Sequence, residues 1–170
     1  GGSGSGQIAV EDGINFDDIG SGGVFLLDAH GNLFIGGSIY DADDDGDEMD
    51  IYLLANGQVQ VNSSIESRGG DIVIVSGRTS GSGATFINAS MNTTGNGDGN
   101  VTIFSDQSQI QVNASINAGS EDIVMSAPDD NVFLFGGTLT ANRITVQGPY
   151  VQIDGAAHLN ASADAVVEAT

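Results

Sequence analysis

Apolar residues alternate with polar ones in short runs along this chain, and the runs themselves recur. Asp50-Ile51-Tyr52-Leu53-Leu54-Ala55 and Val59-Gln60-Val61-Asn62-Ser63-Ser64-Ile65 give way to Asp71-Ile72-Val73-Ile74-Val75-Ser76 and Thr85-Phe86-Ile87-Asn88-Ala89-Ser90-Met91. The same pattern returns at Asn100-Val101-Thr102-Ile103-Phe104-Ser105 and Ile110-Gln111-Val112-Asn113-Ala114-Ser115-Ile116, and begins again at Asp122-Ile123-Val124-Met125 and Arg143-Ile144-Thr145-Val146. A spacing of two is the period of a strand. No window carries the i, i+3, i+4, i+7 stripe of a helix, and Gly, Asn, Asp and Ser punctuate the runs as turn residues. A unit of about twenty residues cannot bury its own apolar face, so its copies must stack. The pattern predicts an all-β chain: a right-handed parallel β-helix, three-sided, with about 20–21 residues per coil and about six to seven coils.

The stacks can be written out. One inward column is Phe25, Ile51, Ile72, Val101, Ile123 and Ile144, and a second is Leu27, Leu53, Ile74, Ile103, Met125 and Val146. Ala29, Ala55, Ser76, Ser105 and Ala127 mark a tight corner that takes only small side chains. On the next side, Leu33, Val59, Thr85, Ile110, Phe133 and Val151 are expected beside Ile35, Val61, Ile87, Val112, Phe135 and Ile153. Ile39, Ile65, Met91, Ile116, Leu139 and Leu159 close the third side. Each fully buried Ile, Leu or Val contributes about 1.5–3 kcal/mol, so these columns amount to the core of an ordinary domain drawn out along a rod.

The 170 residues read as one solenoid domain over 7–170, preceded by a Gly/Ser-rich linker or loop at 1–6 and interrupted by an acidic insertion at 41–50. The chain begins without Met, and a new coil starts near Asp164. It is therefore expected to be a segment of a longer β-helix, or a subunit that stacks end to end through uncapped coils.

The coil pattern Asp-Ile-x-Leu-x-Ala, a short turn, then Val-x-Val-Asn-x-Ser-Ile resembles the repeats of filamentous haemagglutinin-type exoproteins and related bacterial adhesins, over roughly Phe25 to Glu168. The resemblance implies a secreted right-handed β-helix with an extracellular or cell-surface structural or adhesive role. It supplies no active-site residues.

Charge narrows the partners. Twenty-three acidic residues against three arginines and no lysine give a net charge of −20. Such a surface repels nucleic acid and anionic membranes and favours divalent cations. Cysteine is absent, which excludes thiol catalysis, thiolate metal sites and disulfides. The densest acidic run is Asp41-Ala42-Asp43-Asp44-Asp45-Gly46-Asp47-Glu48-Met49-Asp50. Its front half matches Asp-x-Asp-x-Asp-Gly, in which alternate carboxylates converge on calcium. Asp41, Asp43 and Asp45 are the expected ligands, with Asp47 through its carbonyl. Tyr52 stands where the bidentate Glu of a helix-flanked calcium loop would be, and Asp50 is the expected substitute.

Two stacked polar columns are also expected. Asp50, Asp71, Asn100, Asp122 and Asp164 would accept hydrogen bonds from turn N–H groups. Asn62, Asn88 and Asn113 would form a ladder at a bend, where Asn tolerates left-handed backbone and stacked amides hydrogen-bond to each other. Those three and Asn92, Asn100 and Asn160 also lie in Asn-x-Ser/Thr sequons, the acceptor pattern for N-glycosylation.

The leading expectation is a non-catalytic structural solenoid, an adhesin shaft or fibre subunit, with a surface carbohydrate or host receptor as its external partner. The alternative is a carbohydrate-binding or polysaccharide-cleaving β-helix. Catalysis would have to draw on Arg68, Arg78 and Arg143, on His30 and His158, which lie far apart, and on the 77–84 loop as the wall of a groove. No pair of carboxylates sits mid-strand as glycoside hydrolysis needs. A flat ice-binding face would require a regular Thr ladder, and only Thr138-Leu139-Thr140 is present.

Overall fold

A computed structural model describes residues 6–16, 22–41, 48–79, 83–95 and 97–169. The described chain contains strands and turns and no helix. In chain order the strands are β1 (Ile8–Val10) and β2 (Ile14–Asn15), then β3 (Gly23–Ala29), β4 (Leu33–Ile35) and β5 (Ile39–Tyr40). The next coils supply β6 (Met49–Ala55), β7 (Val59–Val61) and β8 (Ile65–Glu66), then β9 (Ile72–Ser76), β10 (Thr85–Ile87) and β11 (Met91–Asn92). β12 (Val101–Ser105), β13 (Ile110–Val112) and β14 (Ile116–Asn117) follow, and then β15 (Ile123–Ser126), β16 (Val132–Leu134) and β17 (Gly137–Gly148). β18 (Val151–Ile153) and β19 (Ala157–Ala169) end the chain.

Every pairing is parallel and joins a strand to its counterpart in the next coil. One sheet has seven strands in the order β1-β4-β7-β10-β13-β16-β18. The other runs β2-β5-β8-β11-β14-β17-β15-β12-β9-β6-β3, with β19 on β17. The chain is a parallel β-solenoid of about six turns. Along the row Asp50, Asp71, Asn100, Asp122, Arg143 the coils differ in length, with steps of 21, 29, 22 and 21 residues. The register holds because the surplus is taken up in turns, where added length costs little entropy.

Both columns of the first side stack as expected, from Phe25 over Ile51, Ile72, Val101 and Ile123 to Ile144, and from Leu27 to Val146. The third side does too, from Ile39 to Leu159. The second side is corrected at its far end. Val132 and Leu134, not Phe133 and Phe135, continue the columns of Ile110 and Val112, and they meet Val151 and Ile153. In Val132-Phe133-Leu134-Phe135 either alternate pair is apolar, so hydrophobicity alone leaves a one-residue ambiguity that reverses every side chain. The smaller pair fits the narrow interior. The rings turn outward and pack on one another, with centroids 5.5 Å apart and planes 13° from parallel, and Tyr150 meets Phe133 edge-on at 6.3 Å.

The three-sided cross-section also changes along the rod. Between third and first strands the early coils turn sharply: Arg68 and Gly69 have φ of 57° and 125°, and Gly119 has φ of 55°. The corresponding segments near Ala141 and Ala161 contain no glycine. There the strand runs straight on, making β17 and β19 twelve and thirteen residues long, with a bulge between Ala141 and Arg143.

The buried hydroxyls among the described residues, on Ser67, Ser76, Thr85, Thr93 and Ser105, are all paired. Thr85 Oγ1 donates to Ser76 Oγ at 2.8 Å, Ser76 donates to Ser105 at 3.0 Å, and Ser105 reaches the Gly83 carbonyl at 3.2 Å. A threonine can therefore occupy an apolar column without an unsatisfied hydroxyl.

The corrected register has a direct check. Leu134→Ala should cost about 2–5 kcal/mol of unfolding free energy in a denaturant titration. Phe133→Ala should cost about 1 kcal/mol, the scale of a surface aromatic contact. The reverse ranking would restore Phe133 to the core.

Candidate functional site

The expected calcium ligands fall into two groups. Asp43, Asp45 and Asp47 lie outside the described residues. Of the other two, Asp41 is turned inward. It occupies the buried position two residues beyond Ile39, in a series that runs Phe16, Asp41, Ser67, Thr93, Ala118, Ala141, and it is 2% exposed. Arg68, held in a left-handed conformation, directs Nη2 to the Asp41 carbonyl at 3.4 Å. Asp50 faces outward and its Oδ1 accepts the Asp71 N–H at 2.9 Å. Among the described residues, no group of three or more His, Asp or Glu side chains is arranged to hold a metal ion.

Asp50 belongs to the first polar ladder, which forms as expected. Asp71 Oδ1 accepts the Asn100 N–H at 2.8 Å and its Nδ2 at 3.1 Å, Asn100 Oδ1 accepts the Asp122 N–H at 3.2 Å, and Asp122 Oδ1 accepts the Arg143 N–H at 3.1 Å. Each side chain thus satisfies the main-chain donor of the coil stacked on it. Arg143 enters this row, with Nη1 3.9 Å from Asp122, and pairs in register with Asp164. A similar clamp escaped the sequence reading. Asp98 accepts the backbone N–H and the hydroxyl of Ser120 at 2.6 and 2.7 Å, and these bonds hold its carboxyl below the ordinary value of 3.8. Asp98 sits in an irregular Gly-rich turn, where no periodicity marks it.

The second ladder also forms: Asn88 Nδ2 donates to Asn62 Oδ1 at 2.9 Å and Asn113 Nδ2 to Asn88 Oδ1 at 2.7 Å. Of its two expected causes, one holds. Among the described residues Arg68 is the only non-glycine with positive φ, so these asparagines serve through stacked amides and not through left-handed backbone. A shorter ladder, Asn117 to Asn92 at 3.1 Å, was not anticipated. The amides of Asn62, Asn88, Asn92, Asn100 and Asn113 are all engaged in these rows, whereas Asn160 lies exposed on β19.

The groups considered for catalysis do not converge. His30 lies exposed in the turn after β3, and His158 lies on β19 beside Thr138. Arg78 is paired with Asp28 at 2.6 Å, Arg143 with Asp122, and Arg68 with the Asp41 carbonyl. Of the 77–84 loop, residues 80–82 lie outside the described residues. Its base is pinched, because a Cβ on Gly83 would overlap the Gly77 backbone. Thr138 accompanies no Thr row; its N–H donates to Ser115 Oγ at 3.0 Å. No pocket forms among the described residues.

At the last coil, β19 pairs with β17 alone, and its inward-alternating Val167 is 43% exposed. Comparison with protein-family models, curated proteins and solved structures finds no match to this chain. The adhesin-like resemblance thus stands on the coil pattern alone.

The ladders yield two expected outcomes. Asp71→Ala, which strands the Asn100 donors, should lower unfolding free energy by about 1–3 kcal/mol, and Asp71→Asn, which keeps an acceptor, should recover most of it. For Asp98, a folded-state pKa below 3.8 means its contribution is present above that value and is lost as pH falls through the lower folded pKa. Thermal midpoints measured from pH 5 downward should therefore fall less steeply in Asp98→Asn than in the parent chain.

Proposed function

We propose that this chain is a non-catalytic structural β-solenoid, working as a shaft segment of an extracellular or cell-surface adhesin or as a stacking subunit of a fibre. The observation that supports this most is the axial register, which shifts in the described pairings only at the bulge between Ala141 and Arg143. From β3 to β19 every side-chain ladder and every strand pairing joins one coil to the next. Tension along the rod is thus shared by parallel rows of hydrogen bonds. The uncovered edge of β19 and its exposed inward residues fit a further coil laid upon them, of the same polypeptide or of a second copy. Neither nucleic acid nor an anionic membrane suits a chain of net charge −20.

Calcium is the proposed stabilising cation, bound at the acidic 41–50 segment through Asp43, Asp45 and Asp47, with Asp50 contributing the oxygen its ladder leaves over. Seven carboxylates in ten residues repel one another unless neutralised. The buried Asp41 would anchor the start of the segment, and is a weaker candidate for direct ligation than its spacing suggests.

Two measurements test this reading. Negative-stain micrographs at rising concentration should show rods longer than one chain; discrete short particles throughout would refute stacking. Calorimetric titration with calcium should give saturable binding that disappears in Asp43→Asn/Asp45→Asn. Unchanged heats in that variant would remove the metal from the segment.

A further inference from the structure

The outward side of the seven-stranded sheet carries chemistry that a structural shaft does not use. Its central row is Phe34, Gln60, Phe86, Gln111, Phe133 and Gln152, one residue from each of β4, β7, β10, β13, β16 and β18 in direct register. The row opens with Ala9 on β1, and from β4 onward aromatic ring and primary amide alternate. Parallel strands lie about 4.8 Å apart, so the rings recur every second coil, at about 9–10 Å along the rod.

Two of the three amides are held in place by side-chain hydrogen bonds. Gln60 Nε2 donates to Asn62 Oδ1 at 3.0 Å while its Oε1 accepts from Gln58 at 3.1 Å, and Gln111 Nε2 donates to Asn113 at 3.3 Å. Each glutamine keeps an N–H to offer outward. No strand of this sheet contains an acidic or basic residue, although the chain as a whole carries −20.

We propose that this face binds a neutral, extended β-1,4-linked glycan laid along the rod axis. Pyranose rings pack their C–H faces on Phe34, Phe86 and Phe133, and the intervening sugars direct hydroxyls to Gln60 and Gln111. In such a glycan successive sugars are inverted, so the same ring face returns at every second sugar, as the aromatic rings return at every second coil. Charge complementarity selects the occupant. An uncharged strip has nothing to hold an ion, and the field of the rest of the rod turns away anionic polymers. A peptide strand would need an open sheet edge, and the backbone groups of these central strands are already paired.

The test is calorimetric titration of the full chain with cellohexaose, with the β-1,3-linked laminarihexaose and polygalacturonate as comparisons. Phe86→Ala and Gln111→Ala are the variants on this face, and Tyr52→Ala, outward on β6 of the other sheet, is the control. Far-UV circular dichroism and thermal midpoints establish that each variant folds. The expected result is cellohexaose binding, weakened about tenfold in Phe86→Ala, weakened in Gln111→Ala and unchanged in Tyr52→Ala. Laminarihexaose should bind distinctly more weakly and polygalacturonate not at all. Absence of cellohexaose binding, equal affinity for laminarihexaose, or indifference to Phe86→Ala would each overturn the proposal. So would a dimer in sedimentation that Phe86→Ala dissolves, since a second copy would then cover the face. None of these outcomes bears on the shaft reading, which depends on the axial register and not on this row.

Discussion

The constraint on which the structure depends is that each coil uses its main-chain donors and acceptors on the coils beside it. A strand in an ordinary antiparallel sheet can be matched by a hairpin neighbour close in sequence. Here each strand's partner lies a whole coil away, and the match must hold on every side at once. Side chains are then forced into columns in which each residue touches its own counterparts: Ile51 lies between Phe25 and Ile72, and Ile103 between Ile74 and Met125. An apolar column is self-consistent, because any member suits its neighbours. A charged column is not. The Asp50–Asp71–Asn100–Asp122 row is tolerated because one oxygen of each side chain faces a backbone N–H from the next coil, and because an asparagine stands among the carboxylates.

The same constraint explains where the chain varies. Columns cannot gain or lose a residue without moving every side chain beyond to the opposite face. Turns can. The 29-residue step from Asp71 to Asn100 and the 21-residue step from Asp50 to Asp71 meet the same columns. The additional residues fall between Ser76 and Thr85, where Gly77 and Gly83 touch, and between Asn92 and Asn100. Acidic residues follow the turns for the same reason. Outside β3, β6, β8 and β19 no strand contains one, so the repulsion of a −20 chain is spread along edges where water and counterions screen it.

Most of the fold was legible because stacking repeats its own message. One coil with alternating Ile and Leu is ambiguous, but five in succession with matching Ala or Ser corners fix the register. Legibility failed where the repetition failed. Val132-Phe133-Leu134-Phe135 offers two apolar pairs, and the choice between them turns on interior width, which no pattern of hydrophobicity encodes. The merging of third and first sides in β17 and β19 follows from missing glycines, a signal visible only beside coils that possess them. Of the candidate metal site, Asp43, Asp45 and Asp47 lie outside the described residues. The inward turn of Asp41 follows from its parity with Ile39, a relation the calcium-loop spacing concealed. Asp98 and Ser120 meet across turns of irregular length, beyond the reach of any period.

Outward rows obey a looser rule than inward ones. Nothing packs above them, so a fold of this kind leaves them free to vary, and most do: Leu26, Tyr52, Val73, Thr102, Val124, Thr145 and Val166 share one outward row with no evident order. Phenylalanine and glutamine alternating through six successive coils is order where folding asks for none. Stability does not account for it. A ring beside an amide gains less from its cross-strand neighbour than a ring beside a ring. Nor does solubility, which glutamine at every position would serve better than phenylalanine at every second one. A regular spacing of apolar rings among fixed hydrogen-bonding groups is what a regular polymer with apolar and hydroxylated surfaces would require, and the rigidity of the stacked coils keeps that spacing constant from one end of the row to the other.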